Sequence, residues 1–191
     1  MEELHNAEEE FRRLRAEGHA RVTGFLTLVG ATLGLVTALS GAKGLADETL
    51  PRVMLAAALF VAAVGTNAYI GLVVRDIGTD GCVRAAARIR RYFVTEYPHL
   101  APHVTWRYSD GPSVWVERPR SINRRQIGVI TAVAYGLACA VATRIAFGTG
   151  DPVTAGIGAA VTAVAWTVLL RWARRRMGRV AERARREQRF F

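Results

Sequence analysis

The chain has 191 residues, 51% of them hydrophobic, a formal net charge of +10 and a mean hydropathy of +0.15. Its two cysteines, Cys82 and Cys139, exclude a disulfide-stapled scaffold. The basic excess by itself would suit nucleic acid, but its distribution points to a membrane.

Four apolar runs lack Asp, Glu, Lys and Arg: Val22–Ala42, Val53–Val74, Gln126–Thr143 and Pro152–Leu170. A helix rises ~1.5 Å per residue and must cross ~30 Å of hydrocarbon, so each run is long enough or nearly so to span a bilayer. The basic residues separate with these runs. Residues 1–21 hold four Arg, 75–125 hold ten and 171–191 hold nine, whereas the two short connections hold only Lys43, Arg52 and Arg144. The positive-inside rule then predicts cytoplasmic termini and a cytoplasmic middle segment. The expected fold is an all-α integral membrane protein of four transmembrane helices, with cytoplasmic N- and C-terminal helices and a small cytoplasmic helix-plus-hairpin segment. The strong preference for Arg over Lys fits a GC-rich bacterial coding sequence and hence the inner, plasma membrane.

Residues 1–21 predict a charged amphipathic helix. Leu4, Ala7, Phe11 and Leu14 form its narrow apolar stripe, and Glu8/Arg12, Glu9/Arg13 and Glu17/Arg21 have i,i+4 spacing. Ala38-Leu39-Ser40 resembles a cleavage site, but the preceding acidic stretch is too long for a signal n-region, so the first span is expected to be retained.

The first hairpin comprises residues 22–74. Gly30, Gly34 and Ala38 give its first span a small-residue face, which suits close helix packing in lipid. Asn67 is the main polar group of the second span and suits a hydrogen bond to another helix or a solute contact.

Between residues 75 and 125, Gly78 and Gly81 suggest a break after the second span. A helix follows over Cys82–Tyr97, ending before Pro98. Its Arg84, Arg88 and Arg91 face opposes an apolar one, as expected for a helix lying among anionic headgroups. His103–Tyr108 and Ser113–Glu117 around Ser109-Asp110-Gly111-Pro112 read as a β-hairpin, with Trp106 and Trp115 on its strands. His99 and His103 lack a third ligand at a diagnostic spacing, and Pro102 lies between them.

In the second hairpin, residues 126–170, Gly128, Ala132, Gly136 and Ala140 repeat every four residues. Ala155, Ala159 and Ala163 offer a matching face, and Asp151-Pro152 starts the last span after a short turn. The tail, 171–191, carries Arg174, Arg175 and Arg176 in a strongly basic segment suited to lipid phosphates.

No catalytic, cofactor or metal motif emerges: there is no phosphate loop, nucleophile elbow or Cys-x-x-Cys. The spans hold no carboxylate or His to relay protons, which disfavours proton-coupled transport. The expected function is non-enzymatic: an assembling scaffold or pore-type membrane protein with a cytoplasmic segment that binds anionic lipid or a protein partner. Self-association fits this layout, and nucleic-acid binding is disfavoured. A small-solute transporter or channel subunit using inner faces around Asn67 is the alternative, followed by a membrane-interface enzyme.

Overall fold

The computed structural model describes residues 2–41, 49–103, 109–117, 121–148 and 151–188. Among them every regular element is helical: α1 (Glu2–Gly41), α2 (Thr49–Glu96), a 3₁₀ turn (Pro98–His103), α3 (Val114–Glu117), α4 (Ile122–Phe147) and α5 (Asp151–Arg186). Four helices are long and apolar enough to cross a membrane.

The chain divides into two compact units. An apolar unit comprises Ala20–Gly71 and Ile122–Trp172, and a polar unit comprises Met1–His19, Leu72–Ser121 and Ala173–Phe191. α1, α2 and α5 each contribute residues to both. The amphipathic segment 1–21 is therefore not a separate helix, because nothing between Glu2 and Gly41 breaks the backbone ladder.

The break expected at Gly78 and Gly81 is likewise absent, since α2 runs unbroken for 48 residues. A glycine inside a helix costs only ~0.5–1 kcal/mol relative to alanine, which flanking turns and tertiary contacts readily offset. In the polar unit Gly78 also brings α2 close to Leu14, whose Cδ1 would lie 3.4 Å from an added methyl. α2 ends at Glu96; Tyr97 N still donates to Phe93 O at 2.8 Å, and Pro98 has no N–H to continue the ladder.

The β-hairpin is the other correction. Its second half, Ser113–Glu117, is a helical turn: Val116 N and Glu117 N both donate to Ser113 O, at 3.1 and 2.9 Å. His103 closes the 3₁₀ turn, and residues 104–108, Trp106 included, lie outside the described residues. A lone two-stranded ribbon would be marginal in water. The helical turn instead buries Val116 to 2% exposure in the polar unit.

Small residues control the apolar unit. Gly65 on α2 receives the Phe25 ring of α1, and a methyl there would also overlap Thr131 Oγ1 of α4. Gly128 on α4 lies between Tyr69 of α2 and Trp166 of α5, with ring atoms 2.9 and 2.6 Å from a notional Cβ. Gly136 lies against the backbone of Gly158 and against Thr162 on α5. Ala132 is buried, and a Cβ on Gly158 would meet that of Ala140 at 3.1 Å. The stripe Gly128, Ala132, Gly136 and Ala140 thus packs within the chain. Two side-chain bonds reinforce it: Tyr69 OH donates to Leu169 O at 3.3 Å, and the hydroxyls of Thr66 and Tyr135 lie 3.1 Å apart.

The Gly30 and Gly34 face of α1 packs against none of the described residues. A methyl at either position meets open space. The reason is that α1 enters the unit through Val22 and Phe25, which leaves its later turns largely exposed. α4 stops cleanly, with Gly148 at φ 57° donating its N–H to Arg144 O at 3.0 Å, the left-handed cap that glycine favours. α5 then begins at Asp151 with Pro152 in its first turn.

These contacts predict opposite outcomes for the same substitution. Gly136→Ala must push against the Gly158 carbonyl and should destabilise the protein by ~1–3 kcal/mol. Gly34→Ala should leave stability unchanged or slightly raised. Thermal unfolding of both variants in lipid nanodiscs tests the pair, and equal losses would contradict the packing.

Candidate functional site

The polar unit is built on one face of α2. Asp80, Arg84 and Arg88 succeed one another at i, i+4 and i+8, so they share a side of the helix. Against that side lies the loop Ser109–Ser113, of which Asp110 to Ser113 are buried. Asp80 Oδ1 accepts Ser113 N at 2.6 Å. Arg84 Nε donates to Asp110 O at 2.9 Å, and Arg88 Nε donates to Asp110 Oδ2 at 2.8 Å. Arg84 Nη2 also reaches Ala184 O and Glu187 Oε2 near the end of α5, at 3.4 and 3.3 Å. From α5, Arg185 Nη2 meets Glu117 Oε1 at 2.8 Å and Gln188 Nε2 meets Ser109 Oγ at 3.4 Å.

Charge burial makes this arrangement selective. Asp110 and Asp80 are almost fully buried, at 0% and 1% exposure. An isolated buried carboxylate is costly, whereas one held by a guanidinium and by backbone N–H groups is tolerated. The apolar side of the same assembly is formed by Ala86 and Ala87 of α2, Val116, and the stripe Ala173, Met177, Ala181 and Ala184 of α5. Arg84 and Arg88, expected to face headgroups, therefore serve as internal clamps. Sequence periodicity placed them on a common polar face, but the carboxylate and carbonyl that meet them lie 22 to 103 residues away in sequence. Arg91 is half-buried, and Arg174, Arg175 and Arg176 stay exposed on α5.

On the side formed with α1, the polar unit carries a groove of about 410 Å³. Ala7 and Phe11 line it from α1, and Cys82, Val83 and Ala86 line it from α2. Arg12, Arg15 and Arg90 contribute its cations. Arg90 Nη2 crosses to Glu8 Oε1 at 2.9 Å, and Arg15 lies 5.7 Å from the centre of the Phe11 ring. Glu8 is thus paired across helices, where its spacing had suggested Arg12. Arg13 likewise bonds Glu17, at 3.2 Å. Burial pushes the Cys82 thiol up, the charge of Glu10 adds to that shift, and a backbone hydrogen bond opposes it. Volume and lining resemble those of small-ligand sites, which are apolar with a few charged groups.

In the apolar unit Asn67 is exposed and, among the described residues, has no hydrogen-bond partner. The alternative transport reading puts it on an inner face; the structure turns it outward. Tyr69, Ile127 and Thr131 occupy the interior, each at 0–1% exposure. No protein-family model, curated protein or solved structure matches this chain.

Two outcomes follow from this geometry. Asp80→Ala leaves the buried Ser113 N–H without its acceptor and should cost ~1–3 kcal/mol, with faster proteolysis in the 104–120 region. Arg174→Ala should do neither. In a Cys139→Ser background, Cys82 should react with iodoacetamide more slowly at neutral pH than an unperturbed thiol does. Because a raised thiol pKa lowers the thiolate fraction, the rate should climb only at pH above the usual thiol range of about 8.5.

Proposed function

We propose that this protein is a non-enzymatic, multi-pass scaffold of the bacterial inner membrane. In this reading all four apolar helices span the bilayer, both termini are cytoplasmic, and the polar unit receives an anionic lipid or a protein partner. The observation that carries it is the agreement between charge and architecture. The three basic segments 1–21, 75–125 and 171–191 are, within a few residues, the segments that make up the polar unit. Positive charge marks cytoplasmic segments, and these segments form one folded body with a basic-rimmed groove.

A scaffold suits the geometry better than a conduit. Tyr69, Ile127 and Thr131 fill the buried centre of the apolar unit, and its groove of about 500 Å³ is lined almost entirely by apolar side chains, with Thr66 and Tyr135 its polar groups. Catalysis would need an activated nucleophile or an acid–base pair in a cleft, and burial pushes the thiol of the groove's Cys82 up, away from the reactive thiolate. The buried Asp80 and Asp110, with the partly exposed Arg84 and Arg88, are used in holding the loop to its helices.

Impermeant thiol labelling of intact cells tests the topology, with Cys82 and Cys139 replaced by Ser. A cysteine at Gly150 should react from outside. One at Arg175 should react only after the cells are opened. Equal labelling of the two would overturn the assignment, and protein-dependent ion leakage from proteoliposomes would overturn the scaffold reading in favour of a pore.

A further inference from the structure

Along α2 in the apolar unit, Ala56, Phe60, Ala63, Asn67 and Ile70 are all exposed, with Phe60 at 51% and Ile70 at 39%. Their spacings are four, three, four and three residues, the 3.5-residue period of a helix that supercoils with another. Inward-facing neighbours such as Ala58, Ala62, Gly65 and Tyr69 are buried, so this stripe is the side of α2 that the chain's own helices leave uncovered.

We infer that this stripe is a homodimer interface, with Asn67 of one copy hydrogen-bonded to Asn67 of a second. The inference rests on the membrane reading above and names the partner that the scaffold assembles with. Asn67 lies within the apolar run Val53–Val74, about 5 Å from its midpoint. A primary amide there has two donors and an acceptor that lipid tails cannot satisfy. Every copy inserts in the same orientation, so a two-fold axis along the membrane normal sets each residue beside its own counterpart at the same depth. An amide is self-complementary, since its carbonyl accepts what its NH₂ donates. A second copy therefore supplies an acceptor for one N–H and a donor for the carbonyl at the required depth. Ala56 and Ala63 leave room for close approach, and Phe60 and Ile70 supply apolar contact on either side of Asn67. A single polar residue in such a seam fixes its register.

Full-length protein with Cys82 and Cys139 replaced by Ser is used for the test. Single cysteines are introduced at Ala63 and Ile70 on the stripe, and at Leu33 and Val164, which are exposed on α1 and α5. In native membranes at low expression, oxidation should yield covalent dimers through positions 63 and 70, and little through 33 and 164. Asn67→Leu should raise the dimer dissociation constant in lipid roughly three- to twentyfold, the worth of one interhelical hydrogen bond. It should keep helicity and membrane accumulation, because Asn67 supports nothing within the chain. Asn67→Gln should retain part of the affinity. Equal cross-linking at all four positions, adducts at position 63 with a chain of different mass, or an unchanged dimer fraction in Asn67→Leu would overturn the interface. Release of the wild-type chain by alkaline carbonate would overturn the membrane reading together with it.

Discussion

The constraint on which the rest depends is the close approach of helix backbones at small residues. Between apolar helices in a bilayer there is no hydrophobic drive to associate, because lipid tails are as apolar as the helices. Dispersion between closely fitted surfaces and an occasional hydrogen bond must suffice. The apolar unit has the packing that such a setting requires, with side chains absent where helices come nearest. Gly136 faces Gly158 backbone to backbone, while Gly65 and Gly128 admit the rings of Phe25, Tyr69 and Trp166 from neighbouring helices. Each ring brings large contact area to a point where only a glycine leaves space, which is why the rings and glycines occur in register.

In the polar unit the governing interaction is electrostatic. Asp80, Arg84 and Arg88 project from one side of α2, and each bonds to a backbone or side-chain group of the Ser109–Ser113 loop. Burial raises the value of every such bond and the cost of leaving one unmade. If the loop departs, Asp80 loses the N–H of Ser113, and Arg84 and Arg88 lose the acceptors that Asp110 provides. Arg84 adds the end of α5 to the same clamp through Ala184 O and Glu187. This coupling joins a short irregular segment to α2, α3 and α5.

Much of the architecture was legible because it depends on local composition. Uncharged runs of bilayer length identify the four apolar helices, and the four-residue repeat from Gly128 to Ala140 marks a close helix contact, which α5 makes through Gly158, Thr162 and Trp166 and not through the exposed Ala155, Ala159 and Ala163. What could not be read depends on partners far away in sequence. Arg84 and Arg88 look the same from sequence whether a phosphate or Asp110 receives them. Gly30 and Gly34 have the same spacing as Gly128 and Ala132, yet α1 turns that face outward. Ser113–Glu117 has the β-branched and aromatic residues of a strand, but a strand needs a neighbour to satisfy its backbone, whereas a helical turn satisfies itself. Gly78 and Gly81 suggested a break because propensity was weighed without the Leu14 contact that favours continuity.

Asn67 connects these two kinds of interaction. Packing alone would make every exposed position of α2 interchangeable, since any apolar residue suits lipid equally well. A lone amide in that setting is different in kind, because its polar groups are costly at any contact that does not bond them. Small residues at Ala56 and Ala63 permit approach without specifying it, and Asn67 supplies the specificity that they lack. Gly30 and Gly34 offer a comparably open face on α1, accompanied by the exposed hydroxyls of Thr27 and Thr37, the second of which already donates to Leu33 O in its own helix. On energetic grounds a second helix should therefore choose α2, where approach coincides with an amide that its own helix cannot satisfy, over α1, where the polar groups are hydroxyls that can bond carbonyls of their own helix.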